Sequence, residues 1–314
     1  MSSTGPLDER VIRRLKLREL RIFTAVAEAR SMGKAATQLA LSQPAVSKAI
    51  AQMEHTLGVP LLDRTTQGVE PTLYGGALLK WAVAVFDDLR QGVREIEFLA
   101  DPSGGEVRIG STEIMNTGLL PFLIDRLSLQ HPRLVFTVRL APAISLQYHD
   151  LRGRHIDLIF GRTMLPIEDE DIQTEVLFDD PLVIVAAAGN KWLRRRDIDP
   201  AELIDEPWCL PTPEGSIVEA FRAQGLKLSR HIVRSRSPHL YFAMAQTGRF
   251  LTVAPASTLR LNGKRLGLKA LPVRFSIPLG PIGIVTLKNR TISPVAQLFI
   301  NCARKVAKTF AKPH

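Results

Sequence analysis

The chain has 314 residues, 45% of them hydrophobic, and a formal net charge of +10. Such a length accommodates about two domains with a real core, and no stretch reaches the roughly 18 uninterrupted apolar residues of a membrane span. Its two cysteines, Cys209 and Cys302, are far apart and lack His or Cys neighbours at ligand spacing, so neither a zinc site nor a structural disulfide is expected.

The opening Met-Ser-Ser-Thr-Gly-Pro lacks the apolar core of a secretion signal, which predicts a cytoplasmic protein. The positive charge is unevenly spread. Residues 1–100 hold 13 basic and 11 acidic side chains, residues 101–184 hold 7 and 13, and residues 185–314 hold 21 and 7. If the N-terminal part binds DNA, affinity there must come from the placement of Arg10, Arg13, Arg14, Lys16, Arg18, Lys34, Lys48 and Arg64, not from bulk charge.

Residues 31–64 carry the strongest pattern. A first short helix is expected from about Lys34 to Leu39, with Ala35 and Ala36 small enough to let a second helix cross closely. Ser42 can cap that second helix, and Pro44 sits in its first turn, where a missing N–H does no harm. Val46, Ile50, Met53 and Leu57 recur at helical spacing as one buried stripe, which turns Gln43, Ser47 and Lys48 outward. Those side chains suit a DNA groove. Gln pairs bidentately with adenine, Lys donates to guanine, Ser adapts, and the Pro44 ring can pack on a thymine methyl. An isolated amphipathic helix would more often be solvated, but a preceding helix, a cap and the following Gly58-Val59-Pro60-Leu61-Leu62-Asp63-Arg64 together form the grammar of a helix-turn-helix.

The string Ala35-Ala36, Leu39, Ser42-Gln43-Pro44-Ala45-Val46-Ser47, Ile50, Glu54, Leu57-Gly58-Val59-Pro60-Leu61 and Arg64, closing with Thr72 and Gly75, resembles the winged helix-turn-helix of the LysR-type transcriptional regulators. The match is dense over about the first hundred residues. It implies that Gln43, Pro44, Ser47 and Lys48 face the major groove of operator DNA, that Ser31, Lys34 and Ser42 lie near phosphates, and that Arg64 and Thr72 frame a wing that reaches the backbone or minor groove. Lys48 stands where many members have Arg, and Leu62 where most have Phe. A lysine lacks the planar fork, so base readout there should be looser. Some relatives use a redox-sensing cysteine pair; for Cys209 and Cys302 two bystander thiols are the preferred expectation.

Thr72 can cap a long helix running to about Ala100 with no proline inside it. Leu79, Ala82, Phe86, Leu89, Val93, Ile96 and Ala100 follow alternating spacings of three and four, a heptad seam. Such a helix spans roughly 43 Å, and pairing with a second copy would keep its stripe dry. The alternative is packing on the chain's own C-terminal domain. Asp101-Pro102-Ser103-Gly104-Gly105 then breaks the helix as a hinge.

Beyond the hinge, strands are expected at 107–110, 134–140, 156–161, 182–187, 250–253 and 282–287, with helices at 119–129, 217–224 and 294–307 between several of them. That alternation predicts α/β with a mostly parallel sheet. The resemblance implies more: a two-subdomain body like a periplasmic binding protein. The organisation expected is thus a winged helix-turn-helix at 15–72, a linker (dimerisation) helix at 73–101 and an effector-binding domain at 102–314. That domain would comprise one subdomain at 106–180 with 271–314 and a second at 181–270, the latter at net +7. A basic half suits an anionic ligand or a negatively charged neighbour, and equally a solvated face.

Ligands of such sheets bind at the carboxyl ends of strands. The candidates are Ser111, Thr112 and Asn116 after the first strand, Ser145 after the second, Arg162 at the end of the third, Thr212 and Ser216 in a Pro-Thr-Pro-Glu-Gly-Ser loop, and Thr247. Arg162 could clamp a carboxylate bidentately. Each of these residues, Arg162 included, could equally be a satisfied loop or cap residue. The loop after the second strand is apolar, with Ala143 and Ile144 where many relatives carry a hydroxyl. No GxGxxG, GxSxG or GxxxxGK motif is present, and the seven histidines show no spacing to a nucleophile, so catalysis is not expected and no cofactor is implied. A solute-binding protein would lack residues 31–64, and a purely architectural DNA binder would not need the α/β body. The resulting expectation is a homodimer, and by resemblance a tetramer, that binds double-stranded operator DNA under control of a small-molecule effector. Residues 15–20 and 71–75 are similar to members responding to aromatic acids or sugars, which makes those the candidate effector classes; RNA polymerase is a further candidate partner.

Overall fold

Ser31 and Ser42 set the register of the first helices. Ser31 Oγ accepts the Lys34 N–H at 3.3 Å and Ser42 Oγ accepts the Ala45 N–H at 3.4 Å, so each opens a helix by satisfying an orphan donor. In the computed structural model, which describes residues 13–65, 68–163, 169–212, 215–228, 232–274, 277 and 279–310, the chain divides into two units, 1–90 and 91–314.

The first unit contains α1 (Leu17–Ala29), α2 (Met32–Gln38) and α3 (Gln43–Leu57). The cap on Ser31 starts α2 two residues before the expected Lys34. Gly58, at φ 74°, ends α3 with its N–H donating to Glu54 O at 2.7 Å. Val46, Ile50 and Met53 are buried, as their spacing predicts, against Phe23 and Val26 of α1 and Ala35 and Ala36 of α2. Large apolar side chains buried this way stabilise by roughly 1.5–3 kcal/mol each.

Next come β1 (Leu62–Thr65) and β2 (Gly68–Pro71), an antiparallel pair that forms the wing. Its approach is fixed by Glu54, whose Oε1 accepts the Leu61 N–H at 2.8 Å and the Leu62 N–H at 3.3 Å. Thr72 caps the next helix, with its Oγ1 accepting the Gly75 N–H at 3.0 Å and donating to Pro60 O at 2.7 Å. Gly75 is required sterically, since a Cβ there would stand 2.0 Å from Leu61 O.

The long helix α4 (Leu73–Ala100) follows, with 28 residues. Its expected heptad seam is split. Leu79 packs against the helix-turn-helix core, Ala82 is buried within the chain and Phe86 is half-buried. Only Leu89, Val93 and Ile96, with Ala100, stay exposed. The uncovered apolar ridge is Trp81, Val85, Leu89 and Val93 at intervals of four, continued by Ile96 and Leu99. The seam read from spacing therefore merged two neighbouring rows, one of which is covered, at Leu79 by the N-terminal core.

The second unit continues through β3 (Gly104–Ser111), α5 (Glu113–Asn116), α6 (Leu119–Gln130), β4 (Arg133–Leu140), α7 (Tyr148–Arg152), β5 (Leu158–Arg162), β6 (Ile172–Phe178), β7 (Leu182–Ala187) and β8 (Trp208–Pro211). It ends with α8 (Gly215–Arg222), β9 (Ile232–Ser235), α9 (Pro238–Gln246), β10 (Thr252–Pro255), α10 (Ala256–Leu266), β11 (Leu268–Ala270), β12 (Ile282–Leu287) and α11 (Pro294–Phe310). Five strands form one sheet in the order β4-β3-β5-β12-β6, on which α6 and α11 bury Leu119, Leu123, Phe299 and Ile300. The other subdomain has an antiparallel sheet, β10-β7-β11, beside a parallel pair, β8-β9, with α8, α9 and α10.

The main sheet is mixed, not mostly parallel. Strands β3, β4 and β5 run parallel, but β12 is antiparallel to both β5 and β6. Side-chain periodicity says which residues form a strand, not which way the strand runs when the chain returns from another subdomain.

Asp157 stabilises this sheet from inside. Its carboxylate accepts the Arg108 N–H at 2.8 Å, the Arg108 Nη2 at 2.6 Å and the Arg290 Nη2 at 2.8 Å, and Arg94 of α4 lies 3.7 Å away. No described helix is long and apolar enough to cross a membrane.

Candidate nucleic-acid interface and ligand cleft

The buried stripe of α3 leaves Gln43, Pro44 and Lys48 exposed and Ser47 half-buried. Ala51, Gln52 and His55 extend the same exposed face. Gln52 and His55 were not singled out from sequence, although they follow Lys48 by one and two turns. Ser31 and Gln43 converge: a Cβ on Gly33 would be 3.9 Å from Gln43 Oε1 and 4.0 Å from Ser31 Oγ. Exposed Lys34 and Ser42 flank that point. Arg64 has its backbone in β1, and its side chain lies outside the described residues. The Thr72 hydroxyl is committed to Pro60 and Gly75, so this residue holds the wing root together instead of reaching outward.

In the second unit a cavity of about 610 Å³ opens between the two subdomains, walled by the ends of β3, β4, β5, β8 and β9 and by α9 and β10. Of the expected ligand residues it gathers Thr112, Arg162 and Thr212. Ser111 is fully buried, its Oγ donating to Phe160 O at 3.0 Å. That bond joins neighbouring strands and removes it as a ligand contact. Asn116 and Ser145 are not in the cavity wall, where Ala143 and Leu146 stand from the loop after β4. Thr247 is the C-cap of α9, its hydroxyl donating to Met244 O at 2.7 Å, and does not line the cavity either. The Ser216 side chain lies outside the described residues.

Arg162 is held on three sides. Its Nη1 donates to the carbonyl oxygens of Leu279 and, at 3.0 Å, of Gly280, and its Nη2 lies 3.6 Å from Asp180. Burial lowers its pKa from the ordinary guanidinium value, against the opposing pull of Asp180. Asp180 is itself held by Ser257, from N–H at 2.9 Å and Oγ at 2.6 Å. The Arg162 Nη2 is buried with no hydrogen-bond partner among the described residues.

Three polar cavity residues were missed from sequence: Glu113, Arg236 and Tyr241. Glu113 Oε1 accepts the Ser237 hydroxyl at 3.2 Å across the cavity. Tyr241 is buried, and desolvation, then the charges of Glu113 and Cys209, push its phenol pKa up, so it remains a protonated donor. A strand-end rule favours residues directly after β3, β4 and β5. It does not single out α9, whose N-terminal residues become a cavity wall only through packing.

Cys209 and Cys302 are free and buried, in the core of the second subdomain and of the first respectively. Burial raises both thiol pKas, which disfavours the reactive thiolate. They pack as small apolar side chains.

A winged helix-turn-helix followed by a two-subdomain α/β body with a ligand-sized cavity defines a class: DNA-binding regulators that carry their own ligand-binding body. Residues 17–76 match the family model described as "Bacterial regulatory helix-turn-helix protein, lysR family", and residues 100–308 match "LysR substrate binding domain". The chain belongs to the LysR family of transcriptional regulators, with a helix-turn-helix DNA-binding domain and an effector-binding domain. It is 31% identical over 302 residues to the HTH-type transcriptional regulator GbpR of Azospirillum brasilense, covering 94% of this chain and 88% of that one. Among solved structures, a full-length BenM mutant aligns at 25% identity and a TM-score of 0.52 over 96% of this chain and 98% of its own. A full-length OxyR variant from Pseudomonas aeruginosa, at 22% identity, shares the fold with a TM-score of 0.63 over 92% and 95%.

Proposed function

We propose that the chain reads a two-half-site operator as a homodimer paired through α4, and that a small organic molecule bearing a carboxylate, held in the cavity, modulates that binding. Gln43, Pro44, Ser47 and Lys48 meet base edges, while Ser31, Lys34, Ser42 and Arg64 meet phosphates. The functional divisions are residues 15–72 for DNA, 73–101 for pairing, and 102–314 for the effector, with subdomains at 106–180 plus 271–314 and at 181–270. The exposed ridge of Trp81, Val85, Leu89 and Val93 supports the pairing, because a solvated apolar ridge of that length is costly for a lone chain. Assembly to tetramers and contact with RNA polymerase extend the same reading. The protein acts in the cytoplasm, where its DNA is, as a binding protein and not as an enzyme.

The observation that carries the effector reading is the unsatisfied Nη2 of Arg162 in the cavity wall. A ligand carboxylate would supply the missing acceptor in a partly dehydrated setting, where charge-assisted bonds are strongest. Binding between the subdomains changes their relative pose, and an effector that alters operator affinity must itself bind the DNA complex with altered affinity. The test is a thermal-shift screen of the full chain with small carboxylates, aromatic acids and sugar acids, followed by operator footprinting with each stabilising compound. Arg162→Ala should bind DNA normally and need far more of that compound to change the footprint. A variant that responds at unchanged concentration would reduce Arg162 to a structural partner of Asp180.

A further inference from the structure

The cavity also carries opposite charges that do not pair. Glu113, from α5 in the first subdomain, and Arg236, between β9 and α9 in the second, both line it. Among the described residues no cation lies within ion-pair distance of Glu113 and no carboxylate within that of Arg236. They are neighbours nonetheless. Ser237, next to Arg236 in the chain, donates its hydroxyl to Glu113 at 3.2 Å, and a turn in which the Ser237 N–H bonds Ser235 Oγ at 3.0 Å fixes that stretch. One donor on Glu113 leaves most of its acceptor capacity unused.

From these groups we infer that the cavity's ligand is a zwitterion of the amino-acid type, with its carboxylate on the arginine side and its ammonium group on Glu113. The inference rests on the reading of the cavity as the effector site. A purely anionic ligand would satisfy Arg162 and Arg236 but would displace water from Glu113 and bring a second negative charge beside it, leaving a dehydrated carboxylate with only the Ser237 hydroxyl to compensate it. An ammonium group removes that penalty and gains a charge-assisted bond. Tyr241, buried next to Glu113 in charge terms and kept protonated, adds a neutral donor to the same wall. The remaining lining is apolar, with Leu140, Leu146, Leu182, Val253 and Leu279, and suits an uncharged hydrocarbon or aromatic side chain.

The experiment measures dissociation constants of the full chain, by calorimetric titration, for three matched series: apolar and aromatic amino acids, their 2-hydroxy counterparts and their des-amino carboxylates. The expected result is at least one amino acid that binds tenfold or more tightly than its des-amino partner. In Glu113→Gln that preference should collapse, with the des-amino acid binding at least as well as to wild type; in Arg236→Gln all three series should weaken together. The wild-type comparison needs no variant, so a misfolded substitution leaves the inference exposed to refutation. Des-amino acids binding as tightly as amino acids, with loss in Arg162→Ala, would overturn the zwitterion inference and leave the carboxylate reading of the cavity standing. Silence from all three series overturns the inference, and silence from the wider carboxylate panel as well removes the cleft reading with it.

Discussion

Asp157→Ala should destabilise the second unit more than any other single side-chain truncation at its polar groups. The carboxylate is 3% exposed and Arg290 1% exposed, so removing Asp157 takes the ion-pair partner from a buried guanidinium whose Nη1 also donates to Ile156 O at 2.6 Å. Breaking a buried pair from one side costs about 3–5 kcal/mol. Arg108 and Arg94 are 17% and 23% exposed, so water recovers part of their share and the total should stay inside that range. For a unit of this size each kcal/mol moves the midpoint by about 2–4 °C, which gives a fall of roughly 6–20 °C. Calorimetry of the full chain reads this directly. The double variant Asp157→Ala with Arg290→Met should recover more than half of the loss, because the stranded charge is gone. A fall equivalent to less than about 1 kcal/mol would show that the three arginines find other partners and that Asp157 does not hold the sheet together.

Gln43→Ala should cost roughly 1–3 kcal/mol of binding to the specific operator while leaving non-specific DNA binding nearly unchanged, measured by titration at fixed salt. An equal loss on both DNAs would move Gln43 from base to phosphate. Leu89→Asp, which places a charge in the exposed ridge of α4, should give monomers in sedimentation and lose two-half-site binding; a fully dimeric variant would sink the pairing proposal. Glu54→Ala removes the acceptor of the Leu61 and Leu62 N–H groups and should lower the stability of the N-terminal unit by about 1–3 kcal/mol in denaturant melts. Glu54→Gln, which keeps an acceptor oxygen, should lose less, and equal losses would mean that the two backbone bonds contribute little.

The parts legible in sequence were those written locally. Ser42 and Gly58 act through bonds within four residues and Pro44 through its ring in the first turn, so α3 could be placed closely, whereas the Ser31 cap was not read as one and starts α2 two residues before the expected position. Thr72 was legible as a cap, but its second bond, to Pro60, depends on the path of the wing, and that bond turns an expected DNA contact into a brace. Similarly, the heptad spacing of α4 could not say which row would be covered. In the α/β body, β6 escaped notice because Gln173, Thr174 and Glu175 interrupt its apolar positions, and β8, β9 and β11 are only three or four residues long. The cavity shows the same division. Arg162, at the end of a strong strand, was found; Glu113 and Arg236 were not, because their meaning arises from a hydrogen bond spanning 124 positions between Ser237 and Glu113.

The most direct test of the account is selection of binding sites by the full-length protein from random duplex DNA, repeated with Lys48→Arg. The expected result is an enriched inverted repeat of two half-sites, one for each α3 of a dimer, with Lys48→Arg sharpening the preference at one base position in each half. Enrichment of a single unrepeated site, or a selected sequence indifferent to the change at Lys48, would contradict it.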